Sequence, residues 1–324
     1  MSSSNGSPSS ASASGTLASG TSSSRTSSTR GKGIALVLTG AALWGVSGTA
    51  AQYLFQERGF SSGWLTVVRL LLGGLVLLGI AYKQDRTQIW GIWTNKSDRI
   101  SILLFGIPGM LATQYTYFAA IQHGNAATAT VLQYLAPALI TCYLALRSRR
   151  LPGAAVIVSV AIAVLGTVLL ATGGRIGSLA ISGQAVFWGI ASAFALAFYT
   201  LQPLRLLARW SSLIVVGWGM LIGGIFSSLI HPPWHFEGKW SPGSLVAVAF
   251  VVIFGTIIAF YCYMESTRNL PVSEVSLLAS VEPLSAAVIS VAWLHVRFGL
   301  AEWLGTLCIV ATIIILARAK EGST

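Results

Sequence analysis

Charge is what this sequence lacks. Only 9% of its 324 residues are Asp, Glu, Lys or Arg, against about 25% in a typical soluble domain. A water-soluble fold of this length needs far more polar surface, so that class is excluded. Acids are the scarcest, nine against twenty Lys and Arg. Cysteine is also sparse. Cys142, Cys262 and Cys308 all sit inside apolar runs without CxxC spacing, which gives neither a disulfide framework nor a zinc site. Catalytic motifs are missing too. The stretch Gly173-Gly174-Arg175-Ile176-Gly177 lacks the Gly-Lys-Ser/Thr of a phosphate loop and follows a helical run, so no ATP-driven step is expected. No Ser–His–Asp or paired-carboxylate grouping is visible, and His231 to His235 (HPPWH) reads as an exposed loop rather than a metal site. The expectation is a protein that is not an enzyme and carries no metal, cofactor or catalytic residue.

What is present is apolar. Hydrophobic residues make up 54% of the chain and the mean hydropathy is +0.73. Apolar runs recur at 34–54, 63–81, 100–120, 126–146, 153–172, 183–202, 212–230, 244–263, 272–294 and 301–317. About 20 apolar residues span the hydrocarbon core of a bilayer, and in lipid each run must satisfy its own backbone groups as a helix. The fold class expected is an all-α polytopic membrane protein with ten transmembrane helices. Residues 1–30, rich in Ser, Gly, Thr and Ala and free of acids, are expected to be a disordered cytoplasmic tail. A plastid or mitochondrial transit peptide is the alternative, which would change the localisation from the cell membrane to a plastid membrane.

The net charge of +11 raises nucleic acid as a partner, but its distribution favours lipid. With the N-terminus in the cytoplasm, fifteen Lys and Arg fall on inside segments and four outside, namely Arg58, Arg175, Lys239 and Arg297. That bias predicts both termini inside and an even number of spans. The basic side then faces anionic lipid, with no nucleic acid involved. Asn95-Lys96-Ser97 matches a glycosylation sequon but falls on the inner side.

The chain also repeats itself. At an offset of 146, Tyr115, Tyr117, Pro137, Gly153 and Val164 meet Tyr261, Tyr263, Pro283, Gly299 and Val310. Upstream the offset is 144, where Ala41, Trp44 and Gly45 meet Ala185, Trp188 and Gly189. The unit is five spans, here 31–174 and 175–318, with 319–324 as a short C-terminal tail. Five is odd, so the second copy enters the membrane from the opposite side. Two inverted five-helix repeats suit alternating access to a central site.

Over residues 34–318 the sequence resembles the drug/metabolite transporter superfamily, EamA type. The Ala-x-x-Trp-Gly from Ala41 to Gly45 and from Ala185 to Gly189 carries the resemblance, with Arg69 in the second span and the stretches Leu135-Ala136-Pro137 and Val281-Glu282-Pro283. One departure is that many relatives carry Gly-Glu after spans four and nine, where this chain has Arg147-Ser148-Arg149-Arg150 and His295-Val296-Arg297. The resemblance implies a ten-helix carrier of small organic solutes, often an exporter of amino acids or related metabolites.

Candidate site residues follow from polarity at membrane depth. Trp44 and Trp188, at equivalent places, either line a cavity from both halves or pack against lipid. Thr130, Gln133, Tyr134, Pro137 and Thr141 share one helical stripe. A polar and aromatic stripe inside lipid faces protein or a wet cavity, so these residues contact solute or bond between helices. Gln114, Tyr115, Tyr117 and Tyr261 are added as substrate-binding candidates. Pro137 and Pro283 are expected to kink their helices. Arg69 either gates or binds, as intramembrane charges tend to, or snorkels to the interface. Glu282 lies where ionisation is costly and has Ala136 as its counterpart, so it is the candidate for carrying a coupled proton. Glu274 and Glu302, in first helical turns, read as structural. The function expected is secondary active transport, with metabolite or amino-acid efflux first, uptake of the same solute class second, and a flippase for a lipid-linked substrate as the reading from another class.

Overall fold

The computed structural model describes residues 21–149, 154–175, 181–270, 274–275 and 278–321, and within them the chain is helical without a strand. Most of the expected tail, along with Arg150, Pro152, Gly153 and Pro271, lies outside the described residues. Ten apolar helices follow in order: α1 (Arg30–Gln56), α2 (Ser62–Gln84), α3 (Lys96–His123), α4 (Ala126–Arg147), α5 (Ile157–Thr172), α6 (Gly183–Leu207), α7 (Ser212–Ser228), α8 (Pro242–Ser266), α9 (Val281–Leu294) and α10 (Leu300–Ile315). Of these, α1, α2, α3, α4, α6 and α8 are long and apolar enough to cross a membrane; the other four are shorter, at 10–17 residues. The protein is thus an all-helical polytopic membrane protein. The helix of α1 begins at Thr21, inside the segment expected as a tail.

Polar residues punctuate the apolar runs as helix caps. Ser61 accepts from the Trp64 N–H to open α2, Asn125 from the Thr128 N–H to open α4, and Ser182 from the Ala185 N–H to open α6. Asn95 caps α3 through the Ser97 N–H, which gives the sequon a structural role. Between α2 and α3, Asp85 caps a short helix. The Thr87 hydroxyl and then its N–H hold the Asp85 carboxyl below the usual carboxylate range.

The 146-residue offset reappears as geometry. The helix α3 carries a π-helical segment at Phe105–Leu111 around Pro108, and α8 carries one at Ile253–Ile258, close to the equivalent place. Within α4 the regular helix stops at Gln133 and resumes at Ala136, just before Pro137; before α9 the chain turns at Ala279 and Ser280, just ahead of Pro283. A proline offers no N–H and its ring crowds the preceding turn, so both expected interruptions have the same cause. Arg149 and His295, also 146 apart, are the two non-glycine residues at positive φ among the described residues, at 52° and 51°. They end α4 and α9 in the left-handed conformation that glycine adopts most readily.

Contacts between the halves are exchanged in the same way. A Cβ at Gly217 would stand 3.0 Å from Leu78 Cδ2, and one at Gly224 would stand 2.9 Å from Leu71 Cδ2. With Gly73-Gly74 of α2 matched to Gly223-Gly224 of α7, Gly74 packs on the Leu221 nitrogen as Gly224 packs on the Leu71 nitrogen, so each contact is the other with the halves swapped. Numbering rises on α2 as it falls on α7, so these two equivalent helices run antiparallel. The pair α5 and α10 behaves alike. Gly166 packs on the Gly305 carbonyl, and their counterparts Thr312 and Ser159 share a 3.2 Å hydrogen bond from the Thr312 hydroxyl. Small residues set these close approaches. The first helix of each half crosses to the other half, α1 against α8 and α9, α6 against α3 and α4.

Candidate functional site

The centre of the bundle is built by Pro283. Lacking an N–H, it leaves the Ala279 carbonyl without its helical partner four residues on. The hydroxyl of Tyr134, from the opposite half, lies 2.9 Å from that carbonyl and 3.0 Å from Oε2 of Glu282. One hydroxyl proton serves two acceptors, so Tyr134 is a switchable donor. With Glu282 ionised it donates to the carboxylate. With Glu282 protonated the acid itself donates and the tyrosine proton is released to Ala279. This contact joins the two interrupted helices, α4 and the segment entering α9.

Beside Glu282 stands a group of aromatic rings. Gly45 of α1 packs on α9 so closely that a Cβ there would meet the Glu282 carbonyl at 2.7 Å and the Ala286 nitrogen at 2.8 Å. That approach places the neighbouring Trp44 against the site. Its ring lies 5.3 Å from Phe260, edge to face, and 5.3 Å from Tyr263. Trp44, Tyr134, Phe260, Tyr263 and Glu282 are all partly exposed.

Behind them lies a sealed polar layer. Arg69 is 5% exposed and donates to Thr256 Oγ1 at 2.7 Å and to the Gly255 carbonyl at 3.0 Å, with the Phe118 ring 5.2 Å away. The π-helical segment of α8 contains both Gly255 and Thr256, so Arg69 staples α2 to that irregular backbone. Tyr117 and Thr130 share a 2.8 Å hydrogen bond, buried with Arg69 and joining α3 to α4. Gln133 is buried next to Tyr134, and Gln114 is half-buried on α3.

The remaining residues singled out in the sequence sit elsewhere. Trp188 meets Tyr115 edge to face at 5.7 Å, and Tyr115 stacks on His231 at 6.3 Å. The two equivalent tryptophans therefore belong to separate aromatic groups. Tyr261 is 55% exposed and stands apart from the rings around Trp44. Phe260 and Tyr263 belong to the site without having been candidates. The repeat already matched Tyr263 to Tyr117, which was the available signal. Glu274 bonds Arg30 at 2.9 Å, in keeping with a structural role.

Burial differs between the two ends of the bundle. Toward the α3–α4 turn, every residue from Ser47 to Gln52 on α1, from Tyr117 to Ile121 on α3 and from Ala126 to Gln133 on α4 is buried. Gln52 Oε1 accepts from the Ala126 N–H at 2.9 Å and its amide donates to Gln56 Oε1 at 3.0 Å; Gln56 in turn donates to the Gly124 carbonyl at 2.6 Å. These two glutamines tie α1 across to the α3–α4 turn. Toward the α8–α9 turn burial of the counterparts is less complete: Tyr263, Met264 and Glu265 on α8, Thr267 just beyond it and Ala195 and Leu196 on α6 are partly exposed and Phe194 is exposed, while Ser192, Ala193, Ser266, Val275 and Ala279 are buried. Among the described residues the α8–α9 end is therefore less buried than the α3–α4 end.

Comparison with known proteins finds a family and a fold. The EamA-like transporter family matches residues 31–172 and 183–318. A protein of Salmonella typhimurium named "Uncharacterized inner membrane transporter YicL" is 42% identical over 289 residues, covering 88% of this chain and 95% of its own length. A Synechocystis protein, "Uncharacterized transporter sll0355", is 24% identical over 149 residues, 44% of each chain. A solved structure described only as "Crystal structure of protein" superposes with a TM-score of 0.57 over 91% of this chain and 99% of that one, at 22% identity, a likeness of fold.

Proposed function

The chain belongs to the EamA-like transporter family, and from that premise we propose that it is a secondary carrier of small organic metabolites, working by alternating access. All ten apolar helices cross the bilayer, as two inverted halves of five. The swapped contacts of α2 with α7 and of α5 with α10 support that arrangement. Both termini lie in the cytoplasm, as the Lys and Arg distribution argues, and the likeness to an inner membrane transporter supports a bacterial inner membrane. The closed α3–α4 end is then the outer one, and the structure is an inward-facing form.

The observation that carries the reading is this difference in burial between equivalent positions of two similar halves. A purely structural bundle has no use for a polar centre buried more fully toward one end than toward the other. In the proposed cycle, solute enters from the cytoplasm to Glu282, Tyr134 and Trp44. The α8–α9 end then closes on α6 as the α3–α4 end now closes on α1, and the outer end opens. Glu282 carries the coupled proton, with Tyr134 following its charge. Efflux is the direction proposed, since the resting form faces the cytoplasm.

The test is a comparison of metabolites inside cells and in the medium, with and without the gene. Efflux predicts that some small solutes accumulate inside when the gene is absent and return to the parental level when it is restored. Identical profiles across a broad metabolite panel would refute it.

A further inference from the structure

Away from the bundle centre, the end of α5 and the start of α10 line an open cavity of about 580 Å³, within the size range of ligand sites. Glycine makes the room. Gly173 and Gly174, where α5 ends, hold positive φ at 59° and 77°, and a Cβ on Gly174 would stand 3.0 Å from Ala301 Cβ. Gly299, just ahead of α10, lines the same space. Two opposite charges share it, the exposed Arg175 beyond the end of α5 and the partly exposed Glu302 in the first turn of α10. Among the described residues neither is in an ion pair; the pairs are Arg30–Glu274, Arg209–Asp98 and Arg268–Glu265. A helix dipole accounts for an acid at Glu302. It does not account for an arginine without an ion pair in the same cavity.

The rest of the wall is apolar and turned outward. Leu169, Leu300 and Leu304 line the cavity, and Leu300 and Leu304 are 77% and 46% exposed. One turn further along each helix, Leu165 and Leu307 continue the same faces and are also exposed. Two leucine tracks thus lead from the charged pair along helices that touch at Gly166 and Gly305. Among the described residues, α5 and α10 pack chiefly on each other and reach the rest of the bundle through α4. With both helices in the bilayer, as proposed above, their leucine tracks meet acyl chains, and what reaches the cavity from the side is lipid. The headgroup that fits carries both signs. A phosphate matches the Arg175 guanidinium, and an ammonium matches the Glu302 carboxylate. Arg297 and His295 are also exposed ahead of Gly299, outside the lining. They favour a phosphate at this end without holding its amine.

We propose that the α5–α10 cavity binds one phospholipid whose headgroup joins a phosphate to a primary amine, with the phosphate at Arg175, the amine at Glu302 and an acyl chain along the leucine tracks. The site is separate from the one around Glu282 and stands whether or not the chain is a carrier. Its selectivity follows from the acid. A choline headgroup has no N–H to give Glu302, and a glycerol headgroup brings a phosphate without a cation, so both bind less well. At the offset of 146, Glu302 falls on Val156, so the matching place in the first half carries no acid.

The test is native mass spectrometry of the purified full-length protein, titrated in detergent with phosphatidylethanolamine, phosphatidylcholine or phosphatidylglycerol of identical chains. Retention of the ethanolamine lipid is expected to exceed that of either other by about fivefold, the upper end for one exposed ion pair. Glu302→Gln removes that preference, a readout that the loss of a helix-dipole contact does not move. Arg175→Gln lowers retention of all three lipids by about fivefold. Arg297→Gln, outside the cavity, changes each by less than about twofold, because a screened charge beyond the site contributes little. Equal retention of the three lipids, an unchanged preference in folded Glu302→Gln protein, or Arg297→Gln losing as much as Arg175→Gln would each overturn the proposal. So would glycerophosphoethanolamine, the headgroup without chains, competing as well as the whole lipid, since the occupant would then be a soluble solute.

Discussion

Replacing Gln52 by leucine tests the closed end of the bundle directly. The side chain is 3% exposed, and its Oε1 is the acceptor for the buried Ala126 N–H at 2.9 Å. Ala126 is the first residue of α4, so that N–H has no partner within its own helix. With leucine in place the donor is stranded while the end stays closed, at about 1–3 kcal/mol. When the end opens, water reaches the donor and the penalty vanishes. The substitution therefore shifts the population toward the open end by about 5–150-fold. Gln56→Ala removes a bond to the more exposed Gly124 carbonyl and costs about 0.5–1.5 kcal/mol, a smaller shift. The assay places a cysteine at Ala129, 2% exposed at the closed end, in a chain with Cys142, Cys262 and Cys308 replaced by alanine. A membrane-impermeant maleimide is added outside intact cells. Modification is expected to be at least fivefold faster with Gln52→Leu than without it, with Gln56→Ala between. Equal rates in folded protein would refute the latch. Acceleration seen only in inverted vesicles would place this end in the cytoplasm and reverse the orientation.

Gly74→Ala and Gly224→Ala insert matching methyl groups against Leu221 and Leu71, so each is expected to cost about 1–3 kcal/mol and to lower the melting temperature by similar amounts in detergent. A large difference between them would argue against the swapped contacts. Arg149→Gly and His295→Gly relieve positive φ at exposed helix ends and are each expected to stabilise by about 1 kcal/mol, seen as a raised melting temperature. Arg69→Met strands the Gly255 carbonyl and removes a donor from Thr256, whose hydroxyl keeps its bond to the Val251 carbonyl; at about 1.5–3 kcal/mol it is expected to lower the melting temperature in detergent. An unchanged melting temperature would argue against Arg69 holding α2 to α8. Glu282→Gln is expected to abolish the response of transport to an imposed pH gradient, and a retained response would remove the proton from Glu282.

The duplication was legible because its marks are backbone marks. Proline acts through a missing N–H whatever surrounds it, so Pro137 and Pro283 announced their breaks in the sequence. The departure from Gly-Glu after spans four and nine falls where Arg149 and His295 hold positive φ, a conformation the sequence did not announce. The π-helical segments were less legible. Pro108 marks the first, but nothing comparable lies within Ile253–Ile258, where the irregularity answers to Arg69 on another helix. The site was half legible for a similar reason. Polarity at depth singled out Glu282, Tyr134 and Trp44, all of which converge. It chose Tyr261 and left out Tyr263, two residues away and so about 200° around the helix. Only the packing of α1 on α8 decides, turning Tyr263 to Trp44 and leaving Tyr261 55% exposed. The glutamine latch was invisible because Gln52 acts on a helix end 74 residues away. What makes it a latch is its lack of a counterpart: at the offset of 144, Gln52 and Gln56 fall on Leu196 and Thr200, which offer no second amide pair. Two halves alike in backbone but unlike in this pair need not rest equally in both orientations. The sequence difference that breaks the symmetry is thus also the one that favours closure at the α3–α4 end.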